Sequence, residues 1–149
     1  MFSRILVCLD GTSFSEQIVP YALEMARRFG SELILMTSAE IPTPAAAEYP
    51  IEVDLVQDLR RVEVDQYLED TAAQVREAGM PVRTNTAIGS PGHAIVEYAA
   101  QVGVDLIVMG THGRKNIGRL VFGSVTDHVL KHTTVPVLVL KPHAKPETA

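Results

Sequence analysis

The feature that most constrains this chain is a set of short, continuously apolar runs separated by segments of helical periodicity. Arg4 to Leu9 and Glu32 to Met36 are apolar at successive positions. Between them Ile18, Ala22, Met25, Ala26 and Phe29 recur at spacings of four, three, one and three. Strictly alternating strands expose one face to water, whereas runs apolar at every position are buried on both faces, as in a parallel sheet covered by helices. The opening therefore reads strand, helix, strand. Thr12, Ser13 or Ser15 can cap the helix, and Gly30 stands where a left-handed stop belongs.

The pattern repeats to the end of the chain. Glu40 to Pro50 is rich in Pro, Ala and Glu and reads as a loop. Leu55, Leu59, Val62, Leu68, Ala72 and Val75 follow at helical spacing and predict a helix with these six on its buried stripe, ending at Gly79. Val82 to Ile88 alternates weakly and suits a strand near the sheet edge, and Pro91 opens a helix that Gly103 closes. Val104 to Met109 is another doubly buried strand. A glycine-punctuated loop, a helix from about Ser124 to Lys131 and a last strand, Val135 to Leu140, complete the set. Parallel connections are almost always right-handed, which places helices on both sides of one sheet. The expected fold is a single doubly wound, Rossmann-like α/β domain, with a five-stranded parallel sheet and four helices over residues 1–141 and a fraying tail over 142–149.

Composition narrows the functions open to such a domain. At 149 residues there is room for one core. No segment approaches the about 18 to 20 apolar residues of a membrane span, and the N-terminus lacks the parts of an export signal, so a cytoplasmic protein with no membrane partner is expected. A net charge of -5 disfavours nucleic acid as a partner, because a phosphate backbone calls for a basic stripe. The single cysteine, Cys8, lies inside an apolar run and reads as a small buried side chain.

The chemistry concentrates between Gly110 and Ser124, a segment that leaves the carboxyl end of a strand and enters a helix. Open α/β sheets bind ligands at that end. Glycines allow backbone N–H groups close approach to an anion, and the first turn of a helix offers unpaired N–H groups with a partial positive charge. Arg114, Lys115 and Arg119 add cations, and Ser124 adds a hydroxyl. A phosphate-binding loop is the reading this combination favours over a merely structural turn with solvated basic residues. A P-loop is excluded, since Arg119-Leu120 stands where Lys and Ser or Thr are required, and no G-x-G-x-x-G follows the first strand. Asp10, beside Gly11, either faces a ligand or makes a turn. His128 and His132 lie four apart but lack a third ligand, so a solvated helix face is expected there.

The spacing Gly110-x2-Gly113-x9-Gly123-Ser124 resembles the nucleotide-binding motif of the universal stress protein family. The likeness extends to Ile5 through Thr12, Gly89-Ser90-Pro91, Met109 through Arg114 and Val135 through Val139. It implies an ATP-binding regulatory or stress-response module, with magnesium held only through the phosphates and slow hydrolysis at most. Leu9 and Asp10 would then face the adenosine, Thr37 would line the adenine pocket, and Met109 and Gly110 would lie against the ribose. Gly113, Gly123, Ser124 and the amide of Val125 would hold the phosphates, with Arg114 a charge partner. Thr37 departs from the small apolar residue often found at its position. The resemblance also implies a homodimer through Val135 to Leu140. The competing readings are a dimeric interaction protein whose glycine loop is structural, and a nucleotidyl-transfer enzyme, for which the S-G-G-x-D-S and H-I-G-H-type motifs are missing.

Overall fold

The computed structural model describes residues 1–39, 50–111 and 123–141. Five strands, β1 (Arg4–Cys8), β2 (Glu32–Ala39), β3 (Val82–Ile88), β4 (Leu106–Gly110) and β5 (Val137–Leu140), form one sheet in the order β3-β2-β1-β4-β5. Every pair is parallel, with Ile5 beside both Leu33 and Leu106. The doubly wound α/β fold expected from the sequence is the fold observed.

The helices divide between the two faces. On one, α2 (Val19–Phe29) and α3 (Pro50–Glu77) cover Ile5, Val7, Leu33, Leu35, Leu106 and Val108, with Ala22, Ala26, Leu68, Ala72 and Val75 as their own contribution. On the other, α4 (Pro91–Val102) and α5 (Ser124–His132) cover Leu6, Ile34, Met36 and Ile107 through Ile95, Ala99 and Val129. Successive residues of β1 and β2 thus enter opposite cores, which is why their sequences are apolar without alternation. Each fully buried Leu, Ile or Val in these layers contributes about 1.5–3 kcal/mol.

Local signals set the boundaries. Gly30 and Gly103 end α2 and α4 in the left-handed region, and each returns its N–H to the last turn, at Ala26 and Ala99. Three details differ from the sequence reading. The first helix is split: a single turn, α1 (Ser13–Glu16), precedes α2, and Pro20 occupies the first turn of the latter. Phe29 is half-exposed, its ring set edge-on at 5.2 Å from Phe2. In α3 only Leu68, Ala72 and Val75 are buried, whereas Leu55, Leu59 and Val62 are 58–66% exposed. Length explains the last point. At about 1.5 Å per residue a helix of 28 residues is longer than β2, a strand of 8 residues, so its first turns project past the sheet. The Pro-rich stretch lies outside the described residues apart from Pro50, which begins α3.

The amino-terminal edge of the sheet is closed by polar contacts. The Asp105 carboxylate accepts hydrogen bonds from the backbone N–H groups of Ser3 and Arg4 at 2.8 and 3.0 Å, and the Asp105 N–H donates to the Arg4 carbonyl. The Arg4 guanidinium reaches the Val102 carbonyl, and the Ser31 hydroxyl donates to that of Phe2.

Candidate functional site

The chain lays down β1, β2 and β3 toward one edge, then crosses to build β4 and β5 on the other side of β1. The carboxyl ends of β1 and β4 therefore diverge into connections on opposite faces and leave a crevice between them, the place where open α/β sheets take ligands.

The β1 side of the crevice is a polar turn. The Leu9 N–H continues the ladder to the Met36 carbonyl at 2.8 Å. Gly11 then adopts φ +84°, a backbone conformation that a side chain would strain. The Asp10 carboxylate accepts from the Thr12 N–H and hydroxyl, the Thr12 hydroxyl accepts from the Ser15 N–H, and the Ser15 hydroxyl accepts from the Asp10 N–H. Thr12 thus caps α1. Asp10 does make the turn that its residue type favours, and it stays at the crevice rim, exposed to solvent. Ser15, one of the three capping candidates, instead ties α1 back to Asp10.

The β4 side is arranged differently. The Thr111 N–H donates to the Leu140 carbonyl, and the Thr126 hydroxyl donates to the Gly110 carbonyl at 3.2 Å, which pins the first turn of α5 to the end of β4. Neither threonine was singled out as functional by the sequence reading. α5 is anchored also against α4. His128 packs on Gly92 so closely that a Cβ there would stand 2.8 Å from the ring. Gly123 is the N-cap with φ -59° and ψ 161°, and among the described residues no side chain caps the N–H groups of Ser124 and Val125. Asp127 in the same turn is paired with Lys131 at 2.9 Å.

Of the residues expected from the sequence, Leu9, Asp10, Thr37, Met109, Gly110, Gly123, Ser124 and Val125 are described, and all sit at the carboxyl ends of β1, β2 and β4 or the start of α5. Gly113 and Arg114 lie outside the described residues, as do His112, Lys115 and Arg119. Met109 is buried in the α4–α5 core at 3% exposure. Thr37 is likewise 5% exposed. Three buried side-chain oxygens among the described residues lack a hydrogen-bond partner: Thr37 Oγ1, Tyr67 OH and Thr111 Oγ1. Tyr67 reaches from α3 to the α1 turn. Burial raises its hydroxyl to about 12, and Ser15, Glu16 and Asp10 lie near enough to act on it, though neither Ser15 nor Glu16 closes a well-formed bond. Cys8 is only partly buried, packed against the α4–α5 core, rather than the fully buried side chain its apolar setting suggests, and desolvation pushes its thiol up to about 12.

No three potential metal-binding side chains cluster among the described residues. His128 and His132 stack on each other at 4.2 Å, with one ring nitrogen of His132 against the His128 carbonyl. Among those residues no helix is long and apolar enough to cross a membrane. A separate depression of about 300 Å³ between α2 and α3 is lined by Glu16, Leu23, Thr71 and Gln74 and offers no cation.

Taken together, the fold and the crevice define an open, doubly wound α/β domain with an uncapped helix N-terminus at its topological switch point. The chain belongs to the universal stress protein family, whose family model matches residues 1–141. It is 30% identical over 145 residues to universal stress protein MJ0531 of Methanocaldococcus jannaschii, covering 95% of this chain and 83% of that one. Among solved structures it is similar to MJ0577 of the same organism, with a TM-score of 0.77 and 27% identity over 97% of this chain and 99% of that one. Two others share the fold at lower identity. One is a universal stress protein in complex with cAMP (TM-score 0.70, 23% identity, 94% and 97% coverage), and the other is the Archaeoglobus fulgidus protein in complex with dAMP (0.69, 21%, 95% and 100%).

Proposed function

We propose that the chain is a cytoplasmic, ATP-binding regulatory module of the stress response. The observation that carries this reading is the N-terminus of α5, uncapped and tied by Thr126 to the end of β4 at the sheet's switch point. Unpaired N–H groups, the helix dipole and the Ser124 hydroxyl make it a phosphate receptor. Gly113 and Arg114 belong to the same phosphate site in this reading, Gly110 supports the ribose, and Leu9, Asp10 and Thr37 hold the adenosine. Fold neighbours in complex with cAMP and dAMP support an adenine nucleotide as the ligand class. Magnesium would be held through the phosphates, since no carboxylate cage is formed among the described residues. Hydrolysis, if the bound triphosphate undergoes it, is slow, because the described side chains around the crevice include no general base aimed at an attacking water.

Equilibrium dialysis of the purified protein against ATP and magnesium tests the reading. Saturable binding of one nucleotide per chain is expected, and no retention at millimolar ATP would refute it. The proposed module is a homodimer, formed through β5. That strand is at the sheet edge, is apolar from Val137 to Leu140 and is only half-buried. Val137→Glu should halve the mass measured by sedimentation, and an unchanged dimer would remove β5 from the interface.

A further inference from the structure

We infer that Tyr67 is a positioning residue for the nucleotide site: its hydroxyl closes a hydrogen bond to Ser15 when nucleotide draws in the Asp10 turn, so that α3 holds that turn against the ligand. The inference rests on the nucleotide reading above. It concerns a side chain that touches no nucleotide and acts through the turn alone.

The fold sets Tyr67 beside the crevice rim. Along α3, Val62 is 66% exposed and Leu68 is fully buried, so the helix passes onto the sheet between them. Asp65 accepts from the hydroxyl of Thr86, which is the register partner of Thr37 near the carboxyl end of β2. This stretch of α3 is therefore level with the edge at which the crevice opens. The Tyr67 ring packs against the α2–α3 core, while its oxygen is buried with no hydrogen-bond partner among the described residues. Ser15, Glu16 and Asp10, all in the turn that follows β1, stand close enough to act on its proton.

Ser15 has the capacity to complete the bond. A serine hydroxyl offers one donor and two acceptor sites. Ser15 donates to the Thr12 carbonyl at 3.0 Å and accepts from the Asp10 N–H at 3.2 Å, which leaves one acceptor site. Filling it from Tyr67 would run a chain of hydrogen bonds from α3 through Ser15 to the backbone of Asp10. Glu16 is exposed, and water can serve its carboxylate. A buried tyrosine hydroxyl without a partner has given up its bonds to water and gained none in return. The free energy released when such a bond closes favours whatever closes it. Asp10 and Gly11 are exposed at the rim, and a ligand seated on them needs to shift the turn only slightly, because donor and acceptor already adjoin.

The test measures ATP affinity by equilibrium dialysis for the wild type, Tyr67→Phe, Ser15→Ala and the double variant, with thermal melts of each in the absence of nucleotide. Tyr67→Phe keeps the ring and should weaken ATP binding by about tenfold, as for one buried hydrogen bond. Its melting temperature should stay level or rise, since an unsatisfied hydroxyl has been removed. Ser15→Ala should weaken binding by at least as much, and adding Tyr67→Phe to it should cost nothing further, the signature of two groups acting through one bond. A wild type that binds ATP and a Tyr67→Phe variant that binds it equally overturn the inference and leave the nucleotide site standing. A lowered melting temperature in Tyr67→Phe makes the hydroxyl a structural bond and overturns it, as does additive loss in the double variant. A wild type that retains no ATP refutes the nucleotide reading together with the inference.

Discussion

The two edges of the sheet are finished in opposite ways. At the amino-terminal edge Asp105 takes two backbone N–H groups, its own N–H is taken by Arg4, and Ser31 and Arg4 find carbonyls. At the carboxyl edge the Thr37 and Thr111 hydroxyls are buried without partners, and among the described residues no side chain caps α5. One edge is closed on itself and the other is left receptive. Because a polar group deprived of water costs free energy wherever it sits, the open edge is a standing cost that the closed edge and the two apolar layers offset. Stability and function are thereby separated in space, and substitutions at the two edges should have opposite signatures.

The sharpest way to break this contrast is Gly123→Asp. The φ of -59° at this position accepts any residue, and an aspartate N-cap stabilises a helix by about 1 kcal/mol over a poor cap and by less over glycine. The same carboxylate would face the phosphates, where like-charge opposition costs several kcal/mol, so ATP affinity should fall by about a hundredfold or more. A melting temperature held or raised, together with lost binding, is the expected pair of results from thermal melts and dialysis. Asp105→Ala should do the reverse. Loss of two charge-assisted contacts should lower stability by about 1–3 kcal/mol in urea unfolding, with ATP affinity unchanged. If Asp105→Ala weakened binding as much as it weakened the fold, the two edges would not be independent.

The smallest effect expected is a pH dependence. The Cys8 thiol and the Tyr67 hydroxyl both have their proton affinity raised by burial, to about 12 from 9.0 and 10.0. The folded state then holds protons that the unfolded chain gives up first. Their contribution is complete below pH 9 and is lost as the pH climbs toward 12. Stability should therefore decline through that alkaline window, and Cys8→Ala and Tyr67→Phe should each flatten the decline, Cys8→Ala more. Unfolding curves taken at successive pH values would show it, and a decline as steep in both variants as in the wild type would assign it to other groups.

How far the sequence reveals this arrangement differs between elements. Gly30 and Gly103 announce helix ends because left-handed backbone favours glycine, a local requirement legible in one residue. The doubly buried strands were legible for a similar reason, since Leu33 and Ile34 each face a core and neither position tolerates a polar side chain. The stripe through Leu55, Leu59 and Val62 has the same periodicity as Leu68, Ala72 and Val75 and a different fate, because what lies under a helix depends on the length of the sheet beneath it. At the candidate site the glycine spacing and Ser124 stood out in the sequence, whereas the pinning of α5 by Thr126 and the open hydroxyls of Thr37 and Thr111 did not. Whether a threonine has a partner is a property of three-dimensional neighbours about which its one-letter context says nothing. Asp105 is a similar case: its partners, Ser3 and Arg4, are about a hundred residues away.

The most direct test of the central claim is an amide NMR titration of the protein with ATP and magnesium. Binding at the receptive edge predicts the largest shifts at the amides of Asp10, Gly110, Thr111, Ser124 and Val125, while Ser3, Arg4 and Asp105 at the closed edge stay in place. Shifts confined to the α2–α3 depression around Leu23 and Gln74, or to the amino-terminal edge, would contradict it.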